Sequence, residues 1–292
     1  MEPSIAGINR LLKNLLFLLG ECRGVRSKAR FCRYAGTLTL AKLSSALGSR
    51  NGQISVDDPE LFLRLKHGDV WFESSPGLGE LWPYIEVYSG REYDSERIRF
   101  EPQDVILDLG ANIGIFAIRY GKEFPTVPIH CFEPNPRVYK RLVRNLEANG
   151  LINAVAVNAA AAECAGMRPF FIGRSTVAGS LIEGGALPPA FYIEVIDLDT
   201  YCKAHSITSI GLLKIDVEGA EVAVLEGAQR ALRSTNYVMI ECHSPALESS
   251  VRAMLAKYNF EATVQRDLMY GARLLHFTRP GKSVLSAADG NS

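Results

Sequence analysis

Residues 104–116 read DVILDLGANIGIF. A charged residue precedes a short apolar run, Val105-Ile106-Leu107, which ends at Asp108; a turn carrying Gly110 and Gly114 follows, and then a helical pattern begins. An apolar run bounded by turn residues is the pattern of a strand buried on both faces. A glycine-rich loop leading from such a strand into a helix is where α/β proteins hold nucleotide-like ligands. Gly110 allows the backbone to approach a ligand closely, and Gly114 lets the helix start tight against the sheet. A plain packing turn would need the same glycines, so the loop alone leaves the ligand open.

The alternation continues outward from this unit. Strands are expected at 105–109, 129–132 (IHCF), 154–160 (AVAVNAA), 212–216 (LLKID) and 237–242 (YVMIEC), with helices over about 114–123, 136–148, 219–232 and 246–257. Asn135 reads as the cap of the second helix, with Pro136 at its first position. Two further strand-like pieces, 168–172 (RPFFI) and 191–196 (FYIEVI), flank a Gly/Ser loop near 173–185. At the end, EATVQRDLMYGARLLHFTR (261–279) gives two strand patterns joined by a short turn with no helix between them. The chain therefore reads as a Rossmann-like α/β fold, a mostly parallel doubly wound sheet with helices on both faces that closes in an antiparallel hairpin. That ending is not the usual layout of a dinucleotide dehydrogenase.

Ahead of this domain, residues 1–90 form an extension, and 281–292 read as a flexible tail after a domain over 91–280. INRLLKNLLFLLG (8–20) is apolar but broken by Asn9, Arg10, Lys13 and Asn14, and it is shorter than the roughly 20 residues of a membrane span. It has some signal-peptide character, yet Glu21, Cys22 and Arg23 follow where a small-x-small cleavage site would stand. An amphipathic helix packed on the domain or a partner is the expectation, with a membrane-surface helix as the alternative. SSALGSRNG (44–52) reads as a break, and LFLRLKHG, DVWFESS and LWPYIEVYSG over 61–90 read as short aromatic-rich strands. Lys plus Arg equals Asp plus Glu at 32 each, so no overall charge steers the chain to nucleic acid. Six cysteines without a CxxC pair fit a reducing cytosol, with Cys131 and Cys242 as small core residues.

Acidic residues gather where the strands end. Glu133 closes the second strand, placed to accept two hydrogen bonds from a ribose diol. A diphosphate prefers Gly-x-Gly-x-x-Gly, but the middle glycine position here is Asn112, and Asp108 adds negative charge beside the loop. S-adenosylmethionine carries a sulfonium, an ammonium and an adenosine ribose but no phosphate, so this charge pattern suits it better. Asp216 and Glu218 in the KIDVEGAE run (214–221) fall at the same carboxyl edge, with Lys214 placed to pair with one of the acids and Glu221 readable as a helix-capping acid. Glu241 and His243 bring a carboxylate and an imidazole to that edge from the fifth strand.

With these residues together, the chain resembles the FkbM-type branch of the class I S-adenosylmethionine-dependent methyltransferases. The resemblance rests on DLGANIG (108–114), FEPNP (132–136), RNLEANGL (144–151), KIDVEGAE (214–221) and the Ile240-Glu241 pair before His243, and it covers roughly 92–280. It implies a seven-stranded sheet with its last strand antiparallel and O-methylation of a sugar, glycan or secondary-metabolite hydroxyl. The cofactor would lie against Asp108, Gly110, Asn112, Gly114, Glu133, Asn135 and Asp216, and no metal is called for. Because an alcohol must lose its proton as it attacks, a base is needed, with His243 first and Asp216 or Glu218 as competitors. Aromatic residues around 71–93 and the 173–185 loop are the expected acceptor walls. The segment NAAAAECAG (158–166) departs from the pattern and leaves Glu163 as the one acidic candidate for an adenine contact, and the resemblance does not extend to residues 1–90. An inactive methyltransferase-like scaffold and a nicotinamide-dependent oxidoreductase are the alternative readings.

Overall fold

A computed structural model of the chain describes residues 5–46, 60–73, 79–89, 93, 98–172, 179–181, 189–268 and 271–280. Helices α1 (Ile5–Glu21) and α2 (Gly24–Ala46) lead into an antiparallel hairpin of β1 (Glu60–Arg64) and β2 (Asp69–Glu73), then α3 (Trp82–Ser89). The alternating part follows: β3 (Val105–Leu109), α4 (Ile115–Glu123), β4 (Ile129–Phe132), α5 (Pro136–Ala148) and β5 (Ala154–Val157). A small side sheet interrupts it, made of β6 (Ala160–Ala161), β7 (Gly166–Ile172), β8 (Gly179–Ser180) and β9 (Phe191–Ile196), and α6 (Leu198–Ala204) returns the chain. The end comprises β10 (Ile210–Ile215), α7 (Glu221–Glu226), β11 (Thr235–Cys242), α8 (Pro245–Ala256), β12 (Glu261–Asp267) and β13 (Arg273–Thr278).

The main sheet has seven strands in the order β12-β13-β11-β10-β3-β4-β5. Six strands share one direction and β13 alone runs against them, antiparallel to both β11 and β12, as the terminal hairpin pattern requires. All six residues of β10 are buried, which is what a central strand covered on both faces demands. Successive side chains go to opposite faces. Ile106, Leu212 and Met239 enter the core under α4 and α5, while Leu107, Leu109, Leu213 and Ile215 enter the core under α6, α7 and α8. Each such burial stabilises the fold by about 1.5–3 kcal/mol.

The amphipathic segment at 8–20 lies within α1 and packs onto the protein by one face. Leu18 of α1, Phe31 of α2, Leu63 of β1, Phe72 of β2 and Tyr84 of α3 belong to the same core as Ile106, Phe116 and Leu142. Charge reinforces the joint: Arg141 on α5 pairs with Glu73 at 3.2 Å and with the fully buried Glu80. No helix among the described residues is long and apolar enough to cross a membrane.

Several local expectations fail for identifiable reasons. LWPYIEVYSG is not a strand; after a 3-10 turn at Gly79–Leu81 it forms α3, burying Tyr84, Ile85 and Val87. Its aromatic content resembles a strand, but those positions follow helical spacing, and Pro83 sits in the first turn, where its missing N–H costs nothing. AVAVNAA divides, with Ala154–Val157 in the main sheet and Ala160–Ala161 in the side sheet beside β9. The helix expected over 219–232 is the short α7 followed by a 3-10 turn at Ala231–Ser234. Of the break expected at 44–52, residues 44–46 belong to α2, and residues 47–59 lie outside the described ones, as does the 281–292 tail.

Asn145 couples the extension to the glycine loop. Fully buried on α5, it accepts from Trp71 N at 2.8 Å and donates to Ile113 O at 2.8 Å and Trp71 O at 3.2 Å. Asn145→Ala leaves these backbone groups buried without partners, at a cost of about 2–4 kcal/mol. Thermal unfolding should then fall by roughly 4–12 °C; a shift under about 1 °C would show that this bridge carries no stability.

Candidate active site

The loops after β3, β4, β5 and β10 meet over the carboxyl edge of the sheet and enclose a cleft, with Phe170 of β7 and Leu181, just after β8, on its far wall. Gly110, at φ 77°, is required twice over: its conformation is left-handed, and a Cβ there would lie 1.8 Å from the carbonyl oxygen of Asp216. Gly114, at φ 89°, starts α4 against Leu142, whose Cδ1 would lie 2.7 Å from an added Cβ. It shapes the loop from beneath and is not part of the cleft wall.

Asp108 is also not in the cleft. It is fully buried on β3, opposite Lys214 of β10 in the strand register, and the Lys214 ammonium lies 3.0 Å from its carboxylate. The same ammonium donates to Gly110 O at 2.9 Å and lies 3.8 Å from Asp216. Burial disfavours the lysine charge, but Asp108, Asp216 and Glu241 outweigh it and raise its pKa. The expected contact between Asp108 and the cofactor is therefore corrected: alternation along β3 turns this side chain under the loop, where it holds Lys214.

Glu133 lines the cleft and accepts Asn112 N at 3.1 Å and Asn135 N at 2.8 Å, which fixes its carboxylate between the two loops. Burial pushes its pKa up to about 7, against the pull of these N–H groups. Each oxygen keeps a further lone pair for an incoming hydroxyl. Asn135 caps α5 as expected, accepting from Arg137 N at 3.0 Å. Asn112 sits at φ 51°, a left-handed conformation that Asn tolerates, and its side chain accepts Ile113 N at 2.7 Å. The segment after β5 supplies Ala159, Ala160 and Ala161 as a small, flat wall. Glu163, the acidic candidate for an adenine contact, instead points to the surface and pairs with Arg168 at 2.7 Å.

His243 sits among four carboxylates. Its Nδ1 is 2.7 Å from Glu221 Oε1, and its Nε2 lies 3.3 Å from Glu218, 3.7 Å from Glu241 and 4.0 Å from Asp216. Burial alone would lower the imidazole pKa, but the Glu221 hydrogen bond and the charges of Asp216, Glu218 and Glu221 raise it to about 9. Burial and the charge of Asp216 likewise push Glu241 up to about 9 and raise Glu218. The cluster thus holds protons at neutral pH that free side chains would have released. Glu218 reaches its place through a left-handed φ of 51°, a strain of roughly 1–2 kcal/mol kept at the site edge. Donor atoms of Asp216, Glu241 and His243 also fall within 4.8 Å of one another, close enough for a divalent cation to span.

Glu221, read from sequence as a helix-capping acid, is the residue that sequence reasoning missed. It is fully buried, accepts Gly219 N at 3.0 Å and orients the imidazole. Its one advance signal was an acid on a helix that follows the acidic strand end. The aromatic residues expected as acceptor walls divide. Phe72 and Tyr84 are core residues, while Tyr93 reaches toward the site, its hydroxyl 3.5 Å from Glu241. Of the 173–185 loop, only 179–181 lie within the described residues.

Among the described residues, the cleft wall carries three carboxylates (Glu133, Asp216 and Glu218) and no basic side chain. A diphosphate would find no counter-charge there, whereas a sulfonium and an ammonium would. With the sheet order, this defines a class I methyltransferase that uses S-adenosylmethionine. The sequence profile described as the methyltransferase FkbM domain matches residues 108–262, and the chain belongs to that family. It is 27% identical to 31-O-demethyl-FK506 methyltransferase FkbM of Streptomyces tacrolimicus, over 73% of this chain and 94% of that one. It is 28% identical to methyltransferase sdnD of Sordaria araneosa, over 63% and 83%. It is 29% identical to hexuronic acid methyltransferase AglP of Haloferax volcanii, over 57% and 69%.

The cluster makes stability depend on pH. The folded pKa of His243, about 9, lies above its ordinary 6.5, so its contribution is complete below about pH 6.5 and is lost as pH rises through 9. Glu133, raised to about 7 from 4.5, acts with the same sign at lower pH. The unfolding temperature of the unliganded chain should fall from about pH 6 to about pH 9, and Glu221→Gln should lower the His243 midpoint read by NMR. A flat or rising profile, or an unmoved midpoint, would contradict this electrostatic account.

Proposed function

We propose that the chain transfers a methyl group from S-adenosylmethionine to a hydroxyl oxygen on a sugar, a glycan or another small metabolite. The observation that carries this reading is the junction of two environments: a cleft lined by acids without basic side chains opens beside a proton-holding cluster around His243. A relative that acts on 31-O-demethyl-FK506 supports an oxygen acceptor, and one that acts on a hexuronic acid supports a sugar.

S-adenosylmethionine, when bound, supplies a methyl group already activated by its sulfonium. Glu133 would take the ribose hydroxyls, the alanines of 159–161 would cover the adenine, and Asp216 would face the positively charged end. Gly110 and Asn112 would shape the loop over which the cofactor lies. The protein's contribution to the transfer is then alignment and removal of one proton. The acceptor hydroxyl, in bonding to the methyl carbon as the carbon–sulfur bond breaks, would give up its proton to the cluster. His243 Nε2 takes that proton once the imidazole is neutral, with Asp216 and Glu218 beside it as competing acceptors.

A labelled-methyl assay against a panel of sugars, glycans and small alcohols tests the reading. With His243 as the base, the rate should climb with pH toward about 9, and His243→Ala should lower kcat by a factor of 100 or more while cofactor affinity changes little. Loss of cofactor binding in that variant would instead assign His243 a structural role, and label on carboxyl or nitrogen acceptors alone would overturn the hydroxyl chemistry.

A further inference from the structure

Helix α1 is apolar on two sides, and its packing explains only one. Leu18 is fully buried and Leu15, Phe17 and Leu19 face the same core, yet Leu12 is 51% exposed and Leu16 68%. Asn9, Leu12, Lys13, Leu16 and Gly20 are all exposed and recur at helical spacing, so they share the outward face. Val25, 83% exposed, adds an aliphatic side chain in the first turn of α2. A helix with a second apolar stripe in water has an unsatisfied surface.

Charge segregates onto the same segment. The whole chain is balanced, but residues 5–46 hold eight of its 32 basic residues and one of its 32 acidic ones. That single acid, Glu21, is buried and tied to Lys66 at 3.0 Å and to the Tyr84 hydroxyl at 3.0 Å. Lys13, Arg26, Lys28 and Arg33 are exposed. The exposed surface of the two helices is therefore cationic, with aliphatic side chains set into it.

We propose that the α1–α2 hairpin docks the protein on an anionic lipid bilayer, Leu12 and Leu16 entering the acyl boundary while basic side chains meet the headgroups. Three aliphatic side chains fall far short of the roughly 800 Å² a partner that a stable protein interface buries. A bilayer needs no matched surface: shallow insertion and charge attraction add residue by residue, each basic side chain near the surface contributing roughly fivefold. The proposal does not depend on the acceptor's identity.

The test is co-sedimentation of the full chain with phosphatidylcholine vesicles, with and without about a third phosphatidylglycerol, at low and high salt. Binding should be at least tenfold stronger to the anionic vesicles and should weaken with salt. It should drop at least tenfold in Leu12→Ser/Leu16→Ser and separately in Arg26→Ser/Arg33→Ser, with unfolding temperatures unchanged. Failure to bind, equal binding to neutral vesicles, or wild-type binding by both double variants would overturn the proposal. So would light scattering that shows a dimer in solution, dissociated by Leu12→Ser/Leu16→Ser, since that would assign the patch to a second copy of the chain.

Discussion

Lys214 is the group on which the site depends. Its ammonium sits between two central strands, 3.0 Å from Asp108 and 2.9 Å from the Gly110 carbonyl, with the Phe116 ring 5.7 Å away. A buried charge of this kind is tolerable only when paired, and removing either partner strands the other at about 3–5 kcal/mol. The pair fastens the glycine loop to the strand end that carries Asp216. Because Gly110 has no side chain, its backbone reaches the carbonyl of Asp216, so the cofactor loop and the acid edge form one rigid joint. On the function proposed above, the parts that would hold the donor and take the acceptor proton are thereby set against one another.

Electrostatics then divide that edge. Near Glu133 the carboxylate is held by backbone N–H groups and faces an apolar alanine wall, an environment for a neutral ribose and a flat base. Around His243 the carboxylates crowd together, and the imidazolium is what keeps them from repelling one another. Glu221, buried and fixed by Gly219, turns the ring so that Nε2 faces the other acids. An imidazole so supported is a weak acid, and it becomes a base only when the pH or a ligand removes its proton.

Where one physical rule dominates, the chain is legible from its residues. The strand at 129–132 and the helix at 136–148 stand where they were read, because a buried apolar run, an Asn cap and a proline at the first helical position mark those ends. The terminal hairpin was legible because no helix-length segment separates its strands. Segment 82–89 was not, since aromatic residues suit strands and buried helices alike. Asp108 looked like a cofactor contact because sequence does not say which face of a buried strand a side chain takes. The Glu221–His243 contact spans 22 residues and two elements, and it follows only from how α7 and β11 meet.

The acids that line the cleft suit a cationic adenosine ligand and disfavour a diphosphate. Calorimetric titration of the full chain with S-adenosylmethionine and with NAD, for wild type and Glu133→Ala, measures this preference directly. S-adenosylmethionine should bind one to one, roughly tenfold or more weakly in the variant, and NAD should not bind. Equal binding of NAD, or an affinity for S-adenosylmethionine untouched by Glu133→Ala, would contradict it.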